Sequence, residues 1–293
     1  MGTKSDIRDF LVSRRGKIRP QEAGLPVYGG SRRVPGLRRE EVAMLAGVSV
    51  DYYGRLERGD LNGVSDSVLD ALARALRLDE AERSHLYDLA RAANTTPRAR
   101  SRSRLPAPQE IRPSVQYLLD SMPTTPAVVI TGRLDVLATN RLGKALYAPL
   151  DDAPELGANL ARLCFLDPRG TDFYPDWDAT ADTAAAILRT ESGRTPDDEK
   201  LTDLVKELST GSEEFRARWD AHDVNLHRNG VKRFCHPQVG GLDLLFEALP
   251  LPADPGLTLV VYTAEPGTAA HDGLARLATW AASEHLHDRD RRP

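Results

Sequence analysis

In the first third of the chain, apolar positions recur at the three- and four-residue spacing of helices packed by one face. Ile7, Phe10 and Leu11 form such a stripe within residues 3–18. Val42, Ala46, Val48, Tyr53 and Leu56 form another within 39–58, broken by Gly47, so two short helices around a tight turn are predicted there. Val68, Leu69, Leu72, Ala73 and Leu76 mark a fourth helix over 65–78. Asp79 and Glu82 then make a capping box ahead of Leu86, Leu89, Ala90 and Ala93. Beyond residue 114 the period changes. Short apolar runs at 127–131, 134–138, 231–236, 242–249 and 257–263 read as strands. Asn140 opens a helix over 141–147, and further helical stretches fall around 155–165, 176–190, 197–209, 212–221 and 271–285.

The boundaries that follow are an all-α five-helix domain at 1–93, a linker at 94–113 and an α+β domain at 114–288. The linker carries prolines, serines and the alternating Arg98, Arg100, Arg102 and Arg104, which cannot build a core. Two strands, several helices and three more strands fit a five-stranded antiparallel sheet covered by helices, as in PAS-like sensor domains.

Within 39–58, Ala43 is small where two helices would cross, Gly47 supplies the turn, and Ser49 can cap the second helix. That helix would present Val50, Asp51, Tyr52 and Arg55 outward, to be pressed into a DNA major groove. Together with Glu57-Arg58-Gly59, this stretch resembles the lambda-repressor-like, or XRE, helix-turn-helix family, which favours Glu-x-Gly at that place. The resemblance implies double-stranded DNA as a partner. Arg32, Arg33, Arg38 and Arg39 are candidates for phosphate contacts, with Ser49 and Arg58 flanking the groove-reading residues. Arg55 is the best base reader, because a guanidinium can bond bidentately to guanine. Asp51 either accepts from cytosine or meets the helix dipole. Tyr53 is expected to pack inward and Glu57 to pair with an arginine.

Charge agrees with this division. Residues 1–104 hold 20 Lys and Arg against 14 Asp and Glu, whereas the remainder holds 19 against 29. A basic first part beside an acidic second suits nucleic-acid binding by the first alone. Hydrophobic residues at 41% and charged ones at 28% are ordinary for a globular protein. Two cysteines make no disulfide framework, no apolar run spans a bilayer, and the start lacks the apolar core of a signal peptide. The expectation is a cytoplasmic protein with no membrane partner.

In the second domain, Pro126-Ala127-Val128-Val129, Asp135-Val136-Leu137-Ala138-Thr139-Asn140, His236-Pro237-Gln238-Val239-Gly240 and Tyr262-Thr263-Ala264-Glu265-Pro266-Gly267-Thr268 resemble the MmyB-like transcription regulator ligand-binding domain. That family often carries Trp before the Asn, where this chain has Thr139. The resemblance implies a bacterial one-component regulator, not an enzyme, with a PAS-like domain that binds a small apolar molecule, fatty-acid-like in part of the family. No cofactor is expected beyond such a ligand. Candidate pocket residues are Tyr117, Leu142, Leu146, Phe165, Trp177, Phe234 and Phe246. Arg162, His236 or Asn140 would serve as polar anchors for an acidic head.

His222, His227, Cys235 and His236 carry metal-binding chemistry, but neighbours on a strand face opposite sides and the spacing fits no zinc signature, so no metal is assigned. A homodimer on a near-palindromic operator is expected, since one small module covers a short half-site. Two alternatives remain: a DNA-targeted or autoregulated enzyme acting on acyl-type substrates, and an antitoxin-like protein-interaction module.

Overall fold

A computed structural model describes residues 3–25, 34, 36–94, 110–224 and 228–290. Arg32, Arg33, most of the predicted linker and His227 lie outside the described residues.

The chain folds into two compact units. One comprises residues 1–103, 189–203 and 217–226, the other 104–188, 204–216 and 227–293. The first unit holds α1 (Thr3–Lys17), α2 (Arg39–Ala46), α3 (Val50–Glu57), α4 (Asp66–Ala75) and α5 (Glu80–Asn94), the five helices expected. Their apolar stripes converge: Ile7, Phe10, Leu11, Val42, Tyr53, Leu56, Leu72 and Leu86 are fully enclosed. The predicted capping box forms. Asp79 N–H donates to Glu82 at 2.9 Å and Glu82 N–H donates to Asp79 at 2.8 Å. Segments from far along the sequence complete this unit. Arg14 is tied to Glu82 at 2.5 Å and to Asp223 at 2.8 Å, and Val224 joins the core. Arg189 stacks on the Trp219 ring at 3.6 Å.

The second unit is an α+β fold built on a five-stranded antiparallel sheet in the order β2-β1-β5-β4-β3. The strands are β1 (Ala127–Thr131), β2 (Val136–Thr139), β3 (Asn229–His236), β4 (Gly240–Pro250) and β5 (Leu257–Thr263). On one sheet face Ala127, Val129, Leu257 and Leu259 pack with Val115 and Leu119 of α6 (Pro113–Asp120). The other face carries Ile130, Lys232, Phe234, His236, Leu242, Leu244, Phe246, Val260 and Tyr262, as the pleat requires. Its middle is an aromatic cluster, with Phe234 within 6.0 Å of Tyr147, Phe173, Tyr174 and Tyr262. Further helices follow as α7 (Arg141–Leu146), α8 (Leu160–Phe165), α9 (Gly170–Phe173), α10 (Trp177–Arg194), α11 (Glu199–Gly211), α12 (Glu213–Asp220) and α13 (Ala269–Asp290). Asn140 caps α7, accepting from Gly143 N–H at 2.7 Å and from Ala127 N–H at 3.1 Å. Trp280 of α13 meets the His236 ring edge at 5.5 Å. No helix among the described residues is long and apolar enough to cross a membrane.

His85, 2% exposed in α5, lies edge-on to Phe10 at 5.1 Å. Burial, then the charges of Arg189 and Arg14, lower its pKa from 6.5 to about 3. The folded form therefore resists a proton that the unfolded form takes up below the ordinary value. Stability is lost as pH falls from the unfolded pKa toward the folded one. Between pH 7 and pH 5 the expected loss from this side chain is about 2 kcal/mol. Urea unfolding of the full chain and of His85→Leu at both pH values measures it; an equal acid sensitivity in the two proteins would contradict the assignment.

Candidate nucleic-acid interface and ligand cavity

The turn between α2 and α3 is built by three local interactions. Gly47 adopts φ 68°, and Val48 N–H reaches back to the Ala43 carbonyl at 2.9 Å, which closes α2. Ser49 Oγ accepts from Tyr52 N–H at 3.1 Å and starts α3. The apolar side of α3 then sinks Tyr53 and Leu56 into the core.

Glu57, at the end of α3, is 1% exposed. Its carboxylate receives Arg15 Nε at 3.1 Å and a terminal nitrogen of the same guanidinium at 2.9 Å. Arg39 Nε adds a third bond at 3.1 Å. Arg15 also donates to the Leu37 carbonyl at 2.8 Å. One buried carboxylate thus ties α1, the approach to α2, and α2 itself to α3. Gly59, two residues on, has φ 92°, and a Cβ there would stand 2.2 Å from the Lys4 carbonyl oxygen. The Glu-x-Gly pattern therefore has a structural reason at both ends: a charge anchor and a close approach to α1.

What remains outside is the opposite side of α3. Ser49, Val50, Asp51, Arg55 and Arg58 are exposed and Tyr52 is partly so. Arg55 lies over the Tyr52 ring at 4.9 Å and stands 3.7 Å from Asp60, with nearly half its side chain free. Arg38 and Arg39 are exposed at the start of α2. Asp51 sits in the first turn of α3, where the helix dipole favours an anion.

In the second unit, a small cavity of about 30 Å³ with an open mouth lies on the inner sheet face. Ile130, Leu160, Ile187 and Val260 make apolar wall, and Tyr174, Tyr262 and Lys232 bring polar atoms to it. The Tyr262 and Tyr147 hydroxyls share a hydrogen bond of 2.5 Å. Lys232 lies 4.9 Å from the Tyr174 ring centre and 5.9 Å from that of Phe234. Burial lowers its pKa from 10.5 to about 8.

A family model for a helix-turn-helix domain matches residues 19–86. Another, for the MmyB-like transcription regulator ligand binding domain, matches residues 111–277, more than half of the chain. The chain belongs to the MmyB-like transcription regulator family. No curated protein matches it. This MmyB-like protein is a DNA-binding transcription regulator with a ligand-sensing domain.

None of the nine side chains expected at a ligand site lines this cavity. Tyr117 is 71% exposed, because α6 turns Val115 and Leu119 to the sheet instead. Leu142 and Leu146 are enclosed in α7. Phe165 stacks edge-on with Trp177 and Phe215. Phe234 and Phe246 belong to the aromatic packing around Tyr262. Each expected polar anchor is occupied. Arg162 grips Glu207 at 2.8 to 3.1 Å. His236 meets the Ala145 carbonyl at 2.9 Å and accepts from Gln238 N–H at 3.2 Å. Asn140, besides its capping bonds, donates to the Met122 and Thr125 carbonyls, both at 2.7 Å. Cys235 is exposed and His236 buried, on opposite faces of β3. Sequence reasoning passed over Lys232, although its place two residues before Phe234 gives it the inward parity.

Removing charge from a buried, three-bonded carboxylate strands its cations. Glu57→Gln is expected to lower the unfolding free energy by about 3 kcal/mol in urea titrations. A loss below about 1 kcal/mol, the range of a surface pair, would contradict the anchoring role.

Proposed function

We propose that this regulator binds a near-palindromic operator as a homodimer, reading bases with the exposed side of α3, and that a small, largely apolar ligand in the second unit sets its occupancy. One observation carries the DNA side: α3 is fixed from behind by Glu57 while Val50, Asp51, Tyr52, Arg55 and Arg58 stay open. Arg55 reads a base, and Asp51 either accepts from cytosine or serves the helix start. Arg38 supplies a phosphate contact. Arg39, already bonded to Glu57, contributes charge from a fixed position. Arg32 and Arg33 add further phosphate contacts. Supporting the ligand side are the mainly apolar cavity wall and the family match over 111–277. A fatty-acid-like molecule fits that chemistry, and the setting is the cytoplasm, where the DNA is.

Ligand acts by population shift, favouring one arrangement of the dimer over another. Thr180, Thr183, Ala184 and Ile187 of α10 line the cavity.

Selection of bound duplexes from a random pool tests the DNA reading. An inverted repeat is expected, with half-sites about 10 base pairs apart or a multiple of that. A single unrepeated half-site would contradict the dimer, and no enrichment would contradict specific binding. On the selected duplex, Arg55→Ala is expected to cost about 1–3 kcal/mol and to relax one base position. Arg38→Ala is expected to weaken all duplexes alike and reduce the salt slope by about one. Titrations in which both variants match the parent protein would overturn the assignment.

A further inference from the structure

The sheet of the second unit ends in two edges, β2 and β3, and they are built differently. β2 is four residues long and its register with β1 shifts at Val129 and Ile130, so it offers little to a further strand. β3 is eight residues long and pairs with β4 without a break. Ala248 N–H donates to the Arg228 carbonyl at 2.6 Å. By the alternation of an antiparallel ladder, the even-numbered residues of β3 therefore bond to β4, and Val231, Arg233 and Cys235 turn their N–H and C=O groups outward. Among the described residues, no hydrogen bond meets those outward groups. The devices that keep such an edge from pairing are missing: β3 holds no proline and no bulge, and its one lysine, Lys232, lies on the inner face. On the outer face α6 packs over Ala127, Val129, Leu257 and Leu259. It leaves Val231 57% exposed and its cross-strand neighbour Leu245 48% exposed.

We propose that β3 pairs antiparallel with β3 of a second copy of this chain, about a twofold axis at Val231, so that two sheets become one. This rests on the homodimer reading and names the surface that reading needs. Pairing in that register exchanges about six backbone hydrogen bonds, two at each facing pair of outward residues. It sets Val231 against the partner's Val231 with a Leu245 behind each, an unbroken apolar row across the junction. Arg233 then stands opposite the partner's Asn229, whose neighbour on β4 is Glu247, so a cation faces a carboxylate of the other copy. An axis at Arg233 would put two guanidiniums face to face, and one at Lys232 would set Val231 against a guanidinium. The side chains of β3 and β4 thus favour one register. Within one chain, Arg233 holds Asp176 at 2.5 Å and Asp243 at 3.5 Å, but both pairs are exposed and such pairs are worth little, so they yield to a new partner. A second copy suits this edge better than an unrelated strand, because pairing about a twofold axis uses both edges and closes the assembly. It also supplies the symmetry that an inverted repeat calls for.

Sedimentation equilibrium of the full chain measures the dimer, and disulfide trapping fixes its register. In a Cys235→Ser background, Val231→Cys is expected to link two chains on mild oxidation, because the Cα atoms of such a facing pair stand about 5.5 Å apart, within disulfide reach. Arg233→Cys in the same background is expected to give no link, since its two copies lie several residues apart along the paired strands. Val231→Lys, which breaks the apolar row and opposes like charges, is expected to raise the dimer dissociation constant at least about tenfold. Leu249→Lys, on the same sheet face of β4 and 47% exposed but away from that row, is expected to leave it within about twofold. Val231 is exposed, so Val231→Lys is expected to keep the parent's melting temperature; a much less stable variant would mean that Val231 holds the fold instead. A dimer that persists in Val231→Lys, with no link through Val231→Cys, would overturn the edge and leave the homodimer reading intact. Dissociation by Leu249→Lys but not by Val231→Lys would mean that sheet faces stack, which also overturns the edge. A chain that stays monomeric with and without the selected duplex would contradict edge and homodimer together.

Discussion

A carboxylate sealed in a helical core must be met by cations on the spot, and Glu57 is met by Arg15 and Arg39. The position of α3 follows from that demand. Because Arg15 belongs to α1 and Arg39 to α2, the end of α3 is fixed relative to both. Gly59 then lets the chain pass against Lys4 where any side chain would collide. Apolar burial alone would leave α3 free to roll over the core. Tyr53 and Leu56 define which side goes in, and the ion pairs define how far it turns. The exposed side is thereby a fixed surface, which reading of base edges requires.

Charge is handled differently at the cavity. Glu57 is satisfied within the chain, and Lys232, half-buried, lies against the Tyr174 and Phe234 rings. The sheet makes the second site possible. Its inner face is filled at the centre by Phe234, Tyr147 and Tyr262, and the space that remains lies between β1, β5 and α10.

Local signals were the most legible part of the sequence. Gly47, Ser49, Asn140 and the Asp79–Glu82 pair each do in space what their residue types do along the chain. The five helices and five strands were legible too, because alternation and helical spacing are written within single elements. Tyr53 packs inward and Glu57 pairs with arginines, as their positions on α3 imply. Which arginines was not legible: Arg15 lies 42 residues from Glu57. The cavity was hidden for the same reason. Large aromatic residues such as Phe165 and Trp177 look like pocket wall, but rings of that size pack best against each other. The wall draws Ile130, Tyr174, Ala184, Val260 and Tyr262 from elements far apart in the chain. Arg162 has the chemistry of an anchor, but Glu207, on another helix, already pairs with it. Nor does any periodicity show that residues 189–203 and 217–226 complete the first unit.

Hydroxyl-radical footprinting of the full chain, alone and on a duplex selected from a random pool, tests most directly whether the open side of α3 is the surface that meets DNA. Oxidation of Tyr52, with its ring partly exposed and next to Arg55, is expected to fall sharply on binding, together with that of Val50. Tyr117, exposed on the second unit, serves as the reference and is expected to be unchanged. Undiminished oxidation of Tyr52 and Val50 in a complex shown to be saturated would contradict the account.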